Sequence, residues 1–161
     1  MVLTTVSYTH LDVYKRQPLG IHTIKDLVVK QASYINRQKG AGTRLLFDWL
    51  LTQENLTASD IYGYEREEYT HLNVAAAIAA GTADVGLGID SAAKAYHLDF
   101  IPVGRERYDL LMRRSFYQSE AGQILLKTIL DENYAQLVES MGGYDMSERG
   151  KILYPEAELG K

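Results

Sequence analysis

Short apolar segments alternate with helix-forming segments along this chain, and that alternation constrains the fold more than any other feature. Tyr34 and Ile35 centre a strand over Ser33 to Arg37, and Ala83 to Leu87 reads as a short buried strand. Phe100 to Val103 and Tyr108 to Arg113 read as two further strands, with Tyr64 and Glu65 in a shorter one. Between them, Leu45, Leu46, Trp49 and Leu50 recur at helical spacing in Thr43 to Glu54. Thr70 to Ala80 is an alanine-rich helix stopped by Gly81, and Asp90 is placed to cap a helix running to Tyr96. Thr23 with Asp26 has capping-box spacing for a helix from Ile24 to Lys30, and Thr57 to Ile61 forms a capped turn. Ser119 caps a helix to Leu130, and a last helix runs from Glu132 to Met141, ended by Gly142 and Gly143. The tail from Tyr144 reads as irregular. The expected fold is α/β, with a mainly parallel sheet and flanking helices.

In such sheets ligands bind at the carboxyl ends of the strands. That rule selects Arg37 to Arg44, Glu68 to His71 and Gly86 to Ser91. The first carries the motif RQKGAGTR between a strand and a helix. Gly40 and Gly42 let the backbone approach a ligand, with Ala41 between them. The helix beginning at Thr43 turns its unpaired N–H groups and positive dipole end toward the loop. The Thr43 hydroxyl and a guanidinium from Arg37 or Arg44 would complete an anion cradle, and either arginine fits. The loop lacks the spacing of a Walker A motif and of GxGxxG. The plainer reading is a tight turn whose glycines serve only geometry.

The other candidates carry the same pairs of readings. Thr70 either donates to a ligand or serves only as a helix cap. Gly86 and Gly88 either admit a ligand or relieve packing in the sheet. His71 has no second ligand at metal spacing, so no metal site is expected. Glu106 and Tyr108 lie in the run Arg105 to Asp109, which reads most simply as a solvated charge run. Glu65, Glu67 and Glu68 form an acidic cluster, but nothing sets two carboxylates in opposed environments, so no catalytic pair is assigned. No cofactor is called for.

Composition limits the partners. The net charge of −4 argues against a general nucleic-acid surface but leaves room for a small anionic ligand. The chain has no cysteine, which removes disulfides, thiol nucleophiles and thiolate metal sites. No apolar run approaches the roughly 18 residues of a membrane span.

Four stretches together resemble a known family: INRQKGAGTR, GYEREEYTHLNVAAAIAAGTADVGLGI, LDFIPVGRERYDL and GGYD. They are similar to the type II periplasmic-binding-protein-like domain attached to helix-turn-helix regulators and to molybdopterin-biosynthesis proteins. The likeness extends more distantly to LysR-type effector domains and oxyanion-binding receptors, and it covers Leu19 to Ile152. Ala41 departs from the serine often found there, which removes one hydroxyl from the cradle. The resemblance implies a ligand-binding α/β lobe over residues 18–104. It also implies a return strand with C-terminal helices of an incomplete other lobe over 105–152, and a tail over 153–161. The implied function is non-catalytic binding or sensing of a small oxyanion, of the molybdate or tungstate kind, in molybdenum-cofactor metabolism or transcriptional regulation. Implied partners are the missing first lobe and an upstream DNA-binding or molybdotransferase domain, and the expected location is cytoplasmic. The alternatives are the receptor of an ABC uptake system and a transferase that uses the glycine loop for a phosphorylated substrate.

Residues 1–17 stand apart. SYTHLDVYKRQ resembles a tract that recurs before unrelated proteins from metagenomic assemblies and looks like translated adapter sequence. The segment is therefore read as a non-native tail outside the central sheet, whose removal leaves the thermal midpoint nearly unchanged. The alternative is a native edge strand.

Overall fold

The structure, a computed structural model, describes residues 2–15 and 19–152. It divides into two compact units, Leu11–Gly104 and Met1–His10 with Arg105–Lys161.

The larger unit is an α/β sandwich. Strand β1 (Val2–Lys15) contributes its last five residues. It is followed by α1 (Ile24–Val29), β2 (Tyr34–Arg37), α2 (Gly42–Gln53) and a 3₁₀ turn (Ala58–Asp60). Next come β3 (Glu67–Glu68), α3 (His71–Ala79), β4 (Val85–Ile89), α4 (Asp90–Ala95) and the start of β5 (Asp99–Leu111). The strand order is β3-β2-β4-β1-β5. Strand β2 is parallel to both β3 and β4, whereas β1 is antiparallel to β4.

Period-two alternation builds the two faces of the sheet. Tyr34, Val85 and Leu87 join Leu27 of α1 and Phe47 and Leu51 of α2 in one buried cluster. Ile35 joins Val74, Ala75 and Ile78 of α3 and Ala92 and Ala93 of α4 in the other. The Tyr34 and Phe47 rings stack with centroids 4.1 Å apart, which fixes α2 on its face. On the opposite face a Cβ at Gly86 would lie 2.6 Å from Val74 Cγ1 and 3.0 Å from the Ile35 carbonyl oxygen. Glycine there lets α3 sit close on the strands.

Several helix boundaries follow the sequence signals. Thr23 accepts from the Asp26 amide while Asp26 accepts from the Thr23 amide, so α1 has its capping box. Ser119 accepts from the Gly122 amide and Thr70 from the Asn73 amide. Gly81 takes a φ of +73°, which a glycine adopts without a Cβ clash, at the end of α3.

The smaller unit contains α5 (Arg114–Tyr117), α6 (Glu120–Leu130), α7 (Glu132–Ser140) and β6 (Tyr144–Asp145). Leu126 and Ile129 pack with Leu110, Met112 and Tyr117, while Ala135, Val138 and Met146 pack with Tyr144.

Four expectations need correction. The third strand lies at Glu67–Glu68 rather than Tyr64 and Glu65, because its register is set by pairing of Asn36 with Glu67 and Arg37 with Glu68. Residues 99–111 form one strand, not two. The charged run in its middle interrupts the apolar pattern but not the extended backbone, and Gly104 makes no turn. The tail is not wholly irregular, since Tyr144 and Asp145 pair with Thr9 and Tyr8 of β1.

The fourth correction concerns the first 17 residues. Leu11 to Lys15 pair with Ile89 to Val85, so this segment does enter the central sheet. Its many β-branched and aromatic residues favour extended backbone, and β4 offers it an unpaired edge. Deleting residues 1–17 is therefore expected to lower the thermal midpoint by several degrees, the scale of a loss of one or two kcal/mol. Differential scanning calorimetry of the truncated and intact chains checks this; an unchanged midpoint would return the segment to a dispensable tail.

Candidate functional site

Parallel pairing decides where the site lies. Strands β3, β2 and β4 run the same way, so their carboxyl ends at Glu68, Arg37 and Ile89 lie at one end of the sheet. The glycine loop, the start of α3 and the start of α4 follow directly from those ends. Helix α2 packs on one face while α4 packs on the other. Neighbouring strands β2 and β4 thus send their chains to opposite faces, the arrangement that in open α/β sheets goes with a ligand crevice between the strand ends.

The loop is held by its own backbone. The Gln38 amide donates to the Glu68 carbonyl at 3.1 Å, and the Ala41 amide donates to the Gln38 carbonyl at 3.1 Å. Gly40 has a φ of +88°, so the turn itself demands glycine there. Gly42 differs. Its φ is not positive, and a Cβ built on it would meet nothing within 4 Å among the described residues. Neither backbone strain nor packing requires glycine at 42, and the space beside it is open. Ala41 is the N-cap of α2 and gives no side-chain cap, so the first-turn amides of Gly42 and Thr43 have no intrahelical acceptor. Thr43 is itself buried.

The two arginines have separate tasks. Arg44 is 4 % exposed. Its Nη1 lies 3.2 Å from Glu67 Oε1 and its Nε 3.5 Å from Asp48 Oδ1, while the guanidinium carbon sits 4.1 Å above the Tyr64 ring centre. Nη1 also donates to the Arg37 carbonyl at 3.3 Å. This guanidinium ties α2 to the ends of β2 and β3. Arg37 instead donates through Nη2 to the Tyr69 carbonyl at 3.0 Å and through Nε to Gln38 Oε1 at 3.2 Å. It therefore spans the glycine loop and the segment that starts α3.

Thr70 caps α3 through its oxygen, which accepts from the Asn73 amide at 3.0 Å, while its hydroxyl proton is not committed by that bond. Next to it, burial and the positive charge of Arg37 push the His71 pKa down to about 4, so the ring is neutral at physiological pH. Gly88 is buried and lies opposite Asp12 of β1, and the glycine at 86 is accounted for by Val74 and Ile35.

Sequence reasoning singled out Arg44 and Glu67 but did not join them. It missed Tyr64 and Asp48 as partners of Arg44 and the burial of Asp90. The Arg44 and Asp48 spacing of four residues on one helix was the available signal. Ile89 is the N-cap of α4, and Asp90 is the first helical residue rather than the cap.

The profile of the PBP superfamily domain matches residues 3–130. A Clostridium pasteurianum protein encoded in the 5′ region of a 2Fe-2S ferredoxin gene is 37% identical over 94 residues, covering 58% of this chain and 83% of that protein. YvgK of Bacillus subtilis strain 168 is 33% identical over 144 residues, covering 89% of this chain. The chain spans 46% of YvgK. Among solved structures, the substrate-binding domain of an ABC transporter assigned to molybdenum, from Clostridium difficile, superposes with a TM-score of 0.58 at 14% identity, over 94% of this chain and 67% of that one. A Clostridium perfringens protein assigned as a phosphate ABC transporter substrate-binding protein, with phosphate bound, gives 0.61 at 12% identity, over 95% and 72%. At such identities the superpositions speak for the fold alone. With four-fifths of its length matched by one domain profile, and with the parallel sheet and flanking helices of that architecture, this chain belongs to the PBP superfamily.

Proposed function

We propose that this chain is a non-catalytic binding lobe whose glycine loop takes a small oxyanion. The observation that carries the reading is Gly42: a glycine that neither backbone nor packing requires, opening the first turn of a twelve-residue helix with no side-chain cap. Free amides and a positive dipole end favour an anion at that place. Arg37, fixed to the Tyr69 carbonyl beside the loop, supplies charge and directed donors. Thr70 adds a hydroxyl from the neighbouring helix. Arg44 contributes to the shape of the loop, since its charge is met by Glu67 and Asp48.

Molybdate, tungstate, sulfate and phosphate share this chemistry. Fused to a DNA-binding or molybdotransferase domain, such a lobe would act as a sensor. As part of an exported protein it would serve an ABC uptake system, a reading favoured by the two substrate-binding folds it superposes on.

Amide-detected NMR titration of the 161-residue chain with these oxyanions tests the proposal. Shifts should concentrate at Gly40, Gly42, Thr43 and Thr70. Arg37→Ala should weaken binding about ten- to a hundredfold, the equivalent of about 1.5–3 kcal/mol for a hydrogen bond to a charged group. Arg44→Ala should instead lower the unfolding free energy by at least about 1 kcal/mol, because it strands Glu67 and unstacks Tyr64. Binding of an uncharged metabolite, with no response to any oxyanion, would make the loop a structural turn.

The neutral His71 gives a separate check on the state of the site. In the unfolded chain it takes up its proton near pH 6.5, but in the folded chain only near pH 4. Between these values the unfolded state binds more protons, so stability is full above the window and falls as pH drops through it. The slope is expected to reach up to about 1.4 kcal/mol per pH unit. Urea unfolding across this range should show that slope in the parent chain and a flatter one in His71→Gln.

A further inference from the structure

A cavity of about 270 Å³ opens in the larger unit, away from the glycine loop. Ile21, Ile24 and Leu27 line it from the α1 side and Ile101 and Val103 from β5, with Glu54 at the end of α2. Ile21 and Leu27 are 1 % and 2 % exposed and belong to the cluster that holds Tyr34 and Phe47, so the cavity borders the core itself. Glu54 is the C-cap of α2, and Gly42 opens that helix. A rise of roughly 1.5 Å per residue puts the two ends about 18 Å apart, so the cavity and the glycine loop are separate places.

The walls set the body of an occupant and the rim sets its charge. Aliphatic walls with a few polar groups are the usual make-up of a small-molecule pocket. At the rim, the end of α2 is negative in two ways. Its dipole places partial negative charge there, and Glu54 adds a carboxylate. No basic residue lies in the last turn of α2 to offset either. Lys25 of α1 supplies a cation from outside the helix, its Nζ 2.7 Å from Glu54 Oε2. That pair lies at the surface, with side chains 62% and 39% exposed, and takes up one carboxylate oxygen. Glu54 Oε1 has no partner among the described residues, and a carboxylate has room for several donors. His22 and Thr23 also line the cavity, but their amides are committed to Asp26 Oδ2, so they offer an anion no backbone donor. We propose that this cavity is a second ligand site, which takes a small aliphatic amine in its ammonium form. The hydrocarbon packs on the isoleucines and the ammonium group sits beside the Glu54 carboxylate. This site stands apart from the oxyanion reading and does not depend on it.

Methyl-detected NMR titration of the 161-residue chain with isoamylamine, isoamyl alcohol and isovalerate at neutral pH tests the proposal. The three probes share one hydrocarbon body and differ in the head group. The amine should shift the methyl signals of Ile24, Ile101 and Val103 and saturate in the millimolar range, the scale open to a ligand of about six heavy atoms. The alcohol should bind about threefold more weakly, the scale of a solvated ion pair, and isovalerate should not saturate. Glu54→Gln should bring the amine down to the alcohol and leave the alcohol unchanged. Val103→Phe, which puts a ring into the cavity, should abolish binding of the amine while the glycine-loop amide signals stay in place. Shifts that grow linearly with all three probes overturn the proposal. So does isovalerate binding as tightly as the amine, or a Glu54→Gln variant that keeps the full affinity for the amine. Should Val103→Phe fail to fold, the order of the three probes in the parent chain and in Glu54→Gln still decides.

Discussion

The larger unit depends on β2 being paired in parallel on both sides. Parallel neighbours cannot be joined by a tight turn, so each connection must cross the sheet through a helix. That requirement explains why α2 covers the Tyr34 face and α3 the Ile35 face. It also explains why three helix starts meet at one edge. The topology brings the loop there, and local preference enters only at the Gly40 turn. The chemistry at that edge is then set by a few side chains on short connections.

Arg44 shows how such an edge is kept in shape without filling it with charge. A guanidinium removed from water is costly unless paired. Here it meets two carboxylates and an aromatic face, and it holds the Arg37 carbonyl as well. The network spans α2, the end of β2 and the segment before α3. Arg37 bridges the two loops, donating to the Tyr69 carbonyl. Two arginines seven positions apart thus differ in place: Arg44 is buried among carboxylates and a ring, and Arg37 joins the glycine loop to the segment before α3.

The features readable in the sequence were those carried by neighbours in the chain. The Thr23 and Asp26 box, the Thr70 and Ser119 caps and the glycine loop all depend on residues within a few positions of one another. What escaped reading depends on distant pairing. β3 is two residues long, and its place comes from β2 rather than from its own composition. The fate of Arg44 turns on Glu67, twenty-three positions away and brought near only by that pairing. The likeness of residues 1–17 to adapter sequence speaks against a place in the sheet, yet an open edge of β4 asks only for backbone partners.

Gly42 bears on how such a site can change over evolutionary time. Most glycines in close-packed folds are trapped: at Gly86 any side chain would strike Val74 and the β2 backbone. Gly42 is under no such restraint, having ordinary backbone geometry and open space beside it. A serine, an alanine or a larger residue can enter there in one mutational step without disturbing the core. The fold thereby offers lineages a position at which the crevice is narrowed or given a new hydroxyl while the scaffold stays fixed. Ligand preference can diverge among descendants faster than the architecture that carries it.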